Sequence, residues 1–151
     1  MGDKELLSKA SSLVDRVIES NFEPEKLSSV YDDWTPEYDA HMDAIHYAAP
    51  QFMASFFALI TSCAEKQTMR IVDIGCGTGL VGKALAAAGY GNLVGLDLSP
   101  KMAEVAAASG FYKEARGGLD LCQSIDMPNA SFDAAVSCGF TPKDCKSGWN
   151  K

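Results

Sequence analysis

The chain has 151 residues, of which 47% are hydrophobic and 22% are charged. This length suits one domain with a substantial core and is short for two, and the composition is that of a folded protein rather than a disordered one. The formal net charge of −7 disfavours a nucleic-acid partner, because phosphate backbones are bound chiefly by lysine and arginine.

The sequence shows no signal for secretion, membrane insertion or metal binding. The N-terminus is charged from Asp3 onwards and lacks the apolar core of a signal peptide, and the longest apolar stretch, residues 52–60, is too short to span a bilayer. The five cysteines are never spaced as C-x-x-C, and His41 and His46 form no HExxH arrangement. We therefore expect a cytoplasmic protein, with the nucleus as the alternative, that binds neither membrane nor metal.

The N-terminal part of the chain is predicted to be helical. Apolar residues recur at helical spacing over residues 3–20, which predicts an amphipathic helix. Residues 21–29 contain Pro24 and polar side chains and are predicted as a connection. After an aromatic, acidic segment over residues 31–39, a second helix is predicted over about residues 50–66.

From Met69 onwards the pattern changes to alternating strands and helices. The predicted strands cover residues 70–74, 93–96, 118–122 and 132–137, and the predicted helices cover residues 80–88 and 100–108. Ser99 is placed to cap the second of these helices, and Gly89 and Gly110 fit the left-handed positions after helix ends. Alternation of this kind predicts an α/β fold with a parallel sheet and right-handed crossovers.

A glycine-rich turn carries the chemical signal. Residues 72–79 read VDIGCGTG, which places the turn directly after a strand and before a helix. Gly75 and Gly77 let the backbone approach a ligand closely, and the helix that follows presents unpaired N–H groups. Asp97 stands 22 positions after Gly75, at the end of the next strand, where a carboxylate can accept hydrogen bonds from ribose hydroxyls.

The third glycine distinguishes between nucleotide ligands. Dinucleotide sites use G-x-G-x-x-G, whereas this chain reads G-x-G-x-G and has Leu80 where the last glycine would stand. Asp73, two positions before the first glycine, would repel a phosphate and suits a ligand with an ammonium group. We therefore predict S-adenosylmethionine as the cofactor, with a nicotinamide-dependent oxidoreductase as the weaker alternative.

The same residues resemble those of class I methyltransferases, in particular the small methyltransferase-like proteins of the Williams–Beuren syndrome chromosomal region. The resemblance rests on three blocks that occur in order, YDDWTPEYD at residues 31–39, DIGCGTGLV at 73–81 and GLDLSPKM at 95–102. It continues through residues 110–112, 121–122 and 132–134, so that it covers roughly residues 27–140. Motifs of this length in the right order are more specific than the glycine turn alone.

The resemblance implies how the methionine and ribose parts of the cofactor would be held. Gly75, Cys76 and Gly77 would line the methionine end. Asp73 would act on the same end through its carboxylate, by way of a water molecule, and Asp97 would hold the ribose. Methyl transfer from a sulfonium needs an in-line nucleophile and good positioning more than a dedicated base, so no catalytic residue is assigned.

The resemblance also implies the contacts around the adenine and the lid. Leu98 would lie against the adenine face, Met102 would close the same pocket, and Cys122 and Gln123 would lie at the adenine edge. Tyr38, with the aromatic residues before it, would belong to a lid whose rings favour the sulfonium cation. The alternative interpretation is that Leu98 and Met102 are core residues and that the aromatic cluster packs the start of a helix.

The fold that the resemblance implies is Rossmann-like, with parallel strands in the order 3-2-1-4 and a ligand site between strands 1 and 4. A complete class I domain continues through a helix and three further strands, so the later strands are expected to be missing. We predict an N-terminal helix and linker over residues 1–26 as a helical extension, a partial cofactor-binding domain over 27–140 and a disordered tail over 141–151. The fourth strand would then be an exposed apolar edge, open to self-association.

Two functions stay open on the sequence. The first is an S-adenosylmethionine-dependent methyltransferase acting on a small-molecule or protein acceptor, weak or inactive in this short form. The second is a non-catalytic truncated form that binds cofactor poorly or acts by pairing with a partner. Residues 137–140 read SCGF and lack the Asn/Asp-Pro-Pro-Tyr motif of amino-methylating nucleic-acid enzymes, which favours a small molecule or a protein side chain as acceptor.

Overall fold

A computed structural model describes residues 3–123 and 125–139 of the chain. In chain order the elements are α1 (Asp3–Glu19), α2 (Pro24–Trp34), α3 (Tyr38–Ala44), α4 (Ala49–Ile60), β1 (Ile71–Ile74), α5 (Leu80–Ala87), β2 (Leu93–Leu96), α6 (Pro100–Ala108), β3 (Glu114–Arg116) and β4 (Ala134–Val136). Short 3-10 turns follow α2 and α4. The tail predicted over residues 141–151 lies outside the described residues, and the proposed division of the chain at residue 26 stays a prediction.

The four strands form one parallel sheet in the order β3-β2-β1-β4, which confirms the expected Rossmann-like α/β fold and its strand order. β1 is central, since Ile71 pairs with Leu93 of β2 on one side and with Ala134 of β4 on the other. The carboxyl ends of all four strands therefore lie at the same edge of the sheet. In open sheets of this kind the ligand crevice lies at that edge, where the strand order reverses.

Apolar side chains cover both faces of the sheet, and β1 and β2 are buried along their whole length as a result. On one face Phe57 of α4 and Leu85 of α5 pack with Ile71 in a single hydrophobic cluster. On the other face Val72 packs with Leu121, which belongs to the loop after β3. This two-sided burial fixes the position of the strand ends and of the turns that follow them.

The helices of the N-terminal part differ from the prediction in two places. Residues 21–29 are predicted as a connection, but α2 begins within them at Pro24, a residue whose fixed φ suits a first helical turn. The second predicted helix ends at Ile60 rather than at Lys66, because Thr61 is extended, with φ −115° and ψ 150°. The structure also contains α3, between α2 and α4, which the periodicity of the sequence did not indicate.

The third strand also differs from the prediction. It lies at Glu114–Arg116 rather than over residues 118–122, because Gly118 has a φ of 73° that takes the chain out of the extended conformation. Leu121 supplies the apolar signal of the predicted strand, but it reaches the core from a loop. The other strands and α1, α5 and α6 agree with the prediction to within about two residues at each end.

The α4 helix is apolar on two sides. Its Ala54 and Phe57 are buried, whereas Phe52, Phe56 and Leu59 are exposed and form an apolar stripe on the surface. Despite this composition, none of the helices in the described part of the chain is both long enough and apolar enough to cross a bilayer.

Candidate functional site

Three glycines shape the turn between β1 and α5. Gly75, Gly77 and Gly79 have φ values of 77°, 54° and 102°, a region that L-residues with side chains rarely adopt. The N–H groups of Gly75 and Cys76 both donate to the Leu96 carbonyl at the end of β2, at 2.8 and 3.0 Å. The turn is therefore fastened to the neighbouring strand before α5 begins.

Asp97 lies directly after β2, and its carboxylate joins two turns. Oδ2 accepts a hydrogen bond from the Gly77 N–H at 2.7 Å, and Oδ1 accepts one from the Ser99 N–H at 2.8 Å. Burial raises the pKa of this carboxyl, and the hydrogen bonds from the backbone oppose the shift. Each oxygen keeps a further lone pair, which is what the donating hydroxyls of a ribose require.

Asp73 is the third residue of β1 and is fully buried. The Tyr112 hydroxyl donates to its Oδ2 at 2.6 Å, and Oδ1 has no hydrogen-bond partner among the described residues. Burial raises the pKa of this carboxyl to about 7; the bond from Tyr112 acts against the shift and the charge of Asp97 adds to it. The site therefore contains a buried acid with one acceptor position unfilled.

Tyr112 is a functional candidate that the sequence reasoning missed. Its ring lies against three glycines: a Cβ would stand 2.3 Å from the ring if built at Gly82, 3.1 Å if built at Gly79 and 3.2 Å if built at Gly95. A sequence signal was present, because an isolated glycine inside a strand, as Gly95 is in β2, suggests that another group approaches the backbone closely. We call this space, bounded by the three glycines, the tyrosine slot.

The aromatic residues predicted as a lid form one cluster where α2 meets α3. Tyr31 stacks on Trp34 with ring centroids 6.0 Å apart, and Tyr38 meets Trp34 edge-on at 5.1 Å. Trp34 is buried and donates from Nε1 to Nδ1 of the buried His41 at 2.8 Å, so this residue packs the helix junction. Burial is the main cause that raises the pKa of Tyr31 and of Tyr38, and the charge of Asp97 contributes to both shifts.

Two acidic side chains dock the N-terminal helices on the site. Asp39 of α3 accepts from the Thr78 hydroxyl in the glycine turn at 2.5 Å. Asp32 of α2 accepts from the Ser99 hydroxyl at 2.6 Å and from the Lys101 N–H at 3.2 Å. The aromatic cluster is therefore anchored to both turns that form the site.

A family model described as a methyltransferase domain matches residues 71–148, which is about half of the chain and includes the glycine turn and Asp97. This chain belongs to the methyltransferase domain family. The matched region contains β1, β2 and the turns that follow them, which form the site described above. The parallel sheet in the order β3-β2-β1-β4 is the Rossmann-like fold of the class I methyltransferase family.

Three known proteins show how far the similarity extends. Methyltransferase-like protein 27 of Homo sapiens is 34% identical over 113 residues, which is 72% of this chain and 44% of that protein. The 18S rRNA (guanine(1575)-N(7))-methyltransferase of Saccharomyces cerevisiae is 43% identical over 70 residues, 44% of this chain and 24% of that protein. A chain of the solved complex between the Haloferax volcanii Trm112 methyltransferase activator and a methyltransferase aligns with a TM-score of 0.53 and 25% identity, over 71% of this chain and 46% of that chain. The methyltransferase domain described here thus spans less than half the length of each.

Three further predicted cofactor residues lie close to these turns. Cys76 is buried in the glycine turn, where burial raises the pKa of its thiol, so the side chain is a packing group rather than a nucleophile. Leu98 is half-buried, and its carbonyl accepts from the Ser28 hydroxyl of α2 at 3.2 Å. Met102 is only 1% exposed in α6, which favours the alternative interpretation of this residue as core.

Cys122 and Gln123 lie in the loop after β3, not at the end of a strand. This loop passes beside the site, because the Leu119 N–H donates to the Asp97 carbonyl at 3.1 Å. Gln123 is exposed and Cys122 is half-buried. The contact of these two residues with an adenine edge stays a prediction.

Tyr47 and Cys138 approach the switch point from the side of β4, and no sequence signal indicated them. The Tyr47 hydroxyl lies 3.7 Å from Sγ of Cys138, and burial is the main cause that raises the pKa of Tyr47 to about 12. The Ser137 hydroxyl donates to the Ile74 carbonyl at 2.9 Å and so fastens the end of β4 to the end of β1. A hydroxyl group and a thiol group therefore lie side by side at this edge.

Ser99 gives a first test of how the site is held together. Its Oγ accepts from the Met102 N–H, which caps α6, while its hydroxyl proton is donated to Asp32. We expect Ser99→Ala to lower the free energy of unfolding by about 1–2 kcal/mol, because the helix cap and the tie to α2 are lost together. Urea unfolding followed by circular dichroism measures the change.

The control for this substitution is Ser55→Ala in α4. The Ser55 hydroxyl is exposed and donates only to the Gln51 carbonyl one turn earlier in the same helix. We expect this variant to stay within about 0.5 kcal/mol of the parent. An equal effect of the two substitutions would contradict the capping role of Ser99.

Proposed function

We propose that this methyltransferase domain binds S-adenosylmethionine at the carboxyl ends of β1 and β2 and transfers the methyl group to a small-molecule or protein acceptor. The observation that carries the proposal is the carboxylate of Asp97, which fastens both turns through backbone N–H groups and keeps lone pairs for ribose hydroxyls. The chain covers only part of its relatives, so this activity is argued from the site itself.

The residues present fit this cofactor on a second observation. Oδ1 of Asp73 is buried without a partner, and an ammonium group, directly or through a water molecule, would supply the missing donor. In this proposal Asp73, Gly75, Cys76 and Gly77 hold the methionine end. Asp97 holds the ribose.

The remaining contacts of the proposal concern the adenine and the cover over the cofactor. Leu98 and the loop that carries Cys122 and Gln123 flank Asp97 and would face the adenine, with Met102 beneath them. Tyr38 would cover the cofactor as part of the docked aromatic cluster.

When bound, S-adenosylmethionine would supply a methyl group to a nucleophile that attacks in line with the carbon–sulfur bond, and S-adenosylhomocysteine would be the leaving group. The chain contributes binding and orientation: the glycine turn and Asp97 fix the cofactor, and the rings of Tyr31 and Tyr38 favour a nearby cation. Cys138, two residues after β4, and Tyr47, which lies against it, would offer hydrogen-bonding groups on the acceptor side. No residue is assigned as a catalytic base, since positioning accounts for the reaction class.

An RNA base is the second candidate acceptor. It is favoured by the similarity to the yeast protein, whose name gives a guanine of 18S rRNA as its substrate. The net charge of −7 opposes unaided RNA binding, so this candidate requires another chain to supply basic side chains. A small molecule or a protein side chain needs no such help and is the acceptor class that we propose.

A non-catalytic role through pairing has its own supporting observation. β4 is the edge strand of the described sheet, and the stripe on α4 exposes 75% of Phe52, 62% of Phe56 and 83% of Leu59. An open strand edge and an apolar helix face are both surfaces that associate in solution. A single monomeric species across a hundredfold range of concentration in light scattering would count against this role.

Calorimetric titration with S-adenosylhomocysteine tests the cofactor proposal. We expect saturable binding, together with a thermal shift that corresponds to about 2.7 kcal/mol at a ligand concentration of 100 Kd. NAD at the same concentration is the control and should give neither heat nor shift, because Leu80 replaces the third glycine of a dinucleotide site. Absence of heat and shift at millimolar S-adenosylhomocysteine would refute cofactor binding by this chain.

The acceptor class is tested by transfer of a labelled methyl group. Small amines, hydroxyl compounds and thiols, a protein mixture and total RNA are offered in separate reactions with the full chain. We expect label in the small-molecule or protein reactions. Label in RNA alone would overturn the proposed acceptor class and support the second candidate.

A further inference from the structure

A buried hydrogen-bond chain joins β1, α5 and the residues just before β3. The Tyr112 hydroxyl donates to Oδ2 of Asp73 at 2.6 Å and accepts from the Gly82 N–H at 2.9 Å. Gly82 is the third residue of α5, and the first N–H groups of a helix have no partner within the helix. One hydroxyl thus satisfies a helix N-terminus and a buried acid at the same time.

The direction of these two bonds is fixed by their partners. The Gly82 N–H can only donate, so it occupies a lone pair of the Tyr112 oxygen and leaves the hydroxyl proton for Asp73. Burial raises the pKa of Tyr112 well above its ordinary value, so the phenol keeps its proton at any physiological pH. Asp73 therefore receives a permanent hydrogen bond on Oδ2.

The tyrosine slot holds the ring in place for this contact. A Cβ built at Gly82 or Gly79 would stand 2.3 or 3.1 Å from Cε2 of Tyr112, and one built at Gly95 would stand 3.2 Å from Cδ1. The ring is close to backbone on three sides, and the residue is 7% exposed. A side chain confined in this way cannot follow the carboxylate, so the carboxylate must adopt the orientation that the hydroxyl sets.

We propose that Tyr112 is a positioning residue for cofactor binding, which holds Oδ2 of Asp73 so that Oδ1 is reserved for the ammonium group of the cofactor. The unpartnered Oδ1 in the interior of the domain is the observation that points to a ligand. This inference rests on the proposed function, since it takes the amino-acid end of S-adenosylmethionine as the group that Asp73 recognises. Tyr112 acts through Asp73.

The Tyr112 hydroxyl also affects the ionisation of Asp73. Three ionisable groups surround this carboxyl: Tyr112, Asp97 and the thiol of Cys76. Burial raises the pKa of Asp73 to about 7, the charge of Asp97 raises it further, and the bond from Tyr112 lowers it. An ammonium group needs the ionised carboxylate, so affinity should increase as the pH rises through this range.

Tyr112→Phe tests the inference, because it keeps the ring in the tyrosine slot and removes only the hydroxyl. We expect the affinity for S-adenosylhomocysteine at pH 7 to fall about tenfold, in line with the loss of a hydrogen bond to a charged group. Without that bond the pKa of Asp73 is higher, so the rise of affinity with pH should move to higher pH by about one unit. Calorimetry between pH 5.5 and pH 8.5 measures both effects.

The matched control is Tyr90→Phe, which removes a hydroxyl from another buried tyrosine of the same core. The Tyr90 hydroxyl pairs with the Thr61 hydroxyl and makes no contact with Asp73. We expect this variant to keep the affinity of the parent and its pH profile. Asp73→Asn, which imitates the protonated acid, should bind weakly and without pH dependence over the same range.

Each outcome decides between the proposals. If the parent binds but Tyr112→Phe keeps the parent profile, or loses affinity equally at every pH, the positioning role is overturned while cofactor binding stands. If the parent itself does not bind, the proposed function fails and the inference fails with it. If Tyr112→Phe does not fold, two other results would overturn the inference. The first is that the affinity of the parent does not change with pH. The second is that Asp73→Asn binds as tightly as the parent.

Discussion

Gly82→Ala is expected to destabilise the domain by about 3 kcal/mol or more, although alanine is the better helix former by about 1 kcal/mol. The added Cβ would stand 2.3, 2.4 and 2.6 Å from Cε2, Cζ and the hydroxyl oxygen of Tyr112. The ring has no room to retreat, because it also lies against Gly79 and Gly95. Relief of the clash must therefore break the hydrogen bond to Asp73 and leave a buried acid unpaired, which adds to the cost of overpacking.

Urea unfolding followed by circular dichroism measures this loss. Gly91→Ala is the matched control, because a Cβ there would meet only the flexible side chain of Gln67, at 3.0 Å. It should change the free energy of unfolding by about 0.5 kcal/mol or less. The double variant Gly82→Ala with Tyr112→Leu should lose less stability than the sum of its two single variants, since the smaller side chain vacates the slot. If the losses in free energy of unfolding are additive, the Cβ at position 82 does not clash with the Tyr112 ring.

Asp97→Asn is expected to weaken S-adenosylhomocysteine binding by about 100-fold or more. The amide replaces one acceptor with a donor, which would meet the N–H of Gly77 or of Ser99. The glycine turn is then released from its partner, and the ribose hydroxyls lose a charged acceptor worth about 1.5–3 kcal/mol per bond. Both effects act on the cofactor rather than on the distant core.

The control for Asp97 is Asp133→Asn. Its Oδ2 accepts from the Arg70 N–H at 2.7 Å, so it makes a comparable bond to backbone, but at the opposite end of β1. Calorimetric titration should give this variant the affinity of the parent, even where thermal stability falls. Equal affinity in Asp97→Asn and the parent would show that the ribose is held elsewhere.

Local sequence rules predicted the elements that surround the candidate cofactor site. β1, β2 and α6 agree with the predicted bounds to within a residue, and Ser99 caps α6 as its position indicated. These features depend on periodicity, capping and glycine placement over a few neighbouring residues, which a single sequence displays directly. The same rules placed Asp73 near the end of one strand and Asp97 directly after the next strand along the chain.

The third strand shows where local rules were insufficient. Leu119 and Leu121 produced the apolar alternation of a strand, but they cover one face of the sheet from a loop. The actual strand, Glu114–Arg116, is largely exposed and charged, and it is defined by its pairing with Val94 to Leu96 of β2. An edge strand gains its conformation from hydrogen bonds to a neighbour, and side-chain polarity does not record them.

By itself, the sequence determined which residues form the glycine turn and which carboxylates flank it, because Asp73, the glycines and Asp97 lie within one strand, one turn and the next strand. The order of the strands was implied by the resemblance to class I methyltransferases and is confirmed by the sheet, and S-adenosylmethionine stays the proposed cofactor. Only the tertiary structure decided how the acid is held. Asp73 and Tyr112 are 39 residues apart, and they meet because the chain crosses over twice and Gly82 and Gly95 leave space for the ring. Which oxygen of Asp73 remains open to a ligand follows from that contact, which no local pattern encodes.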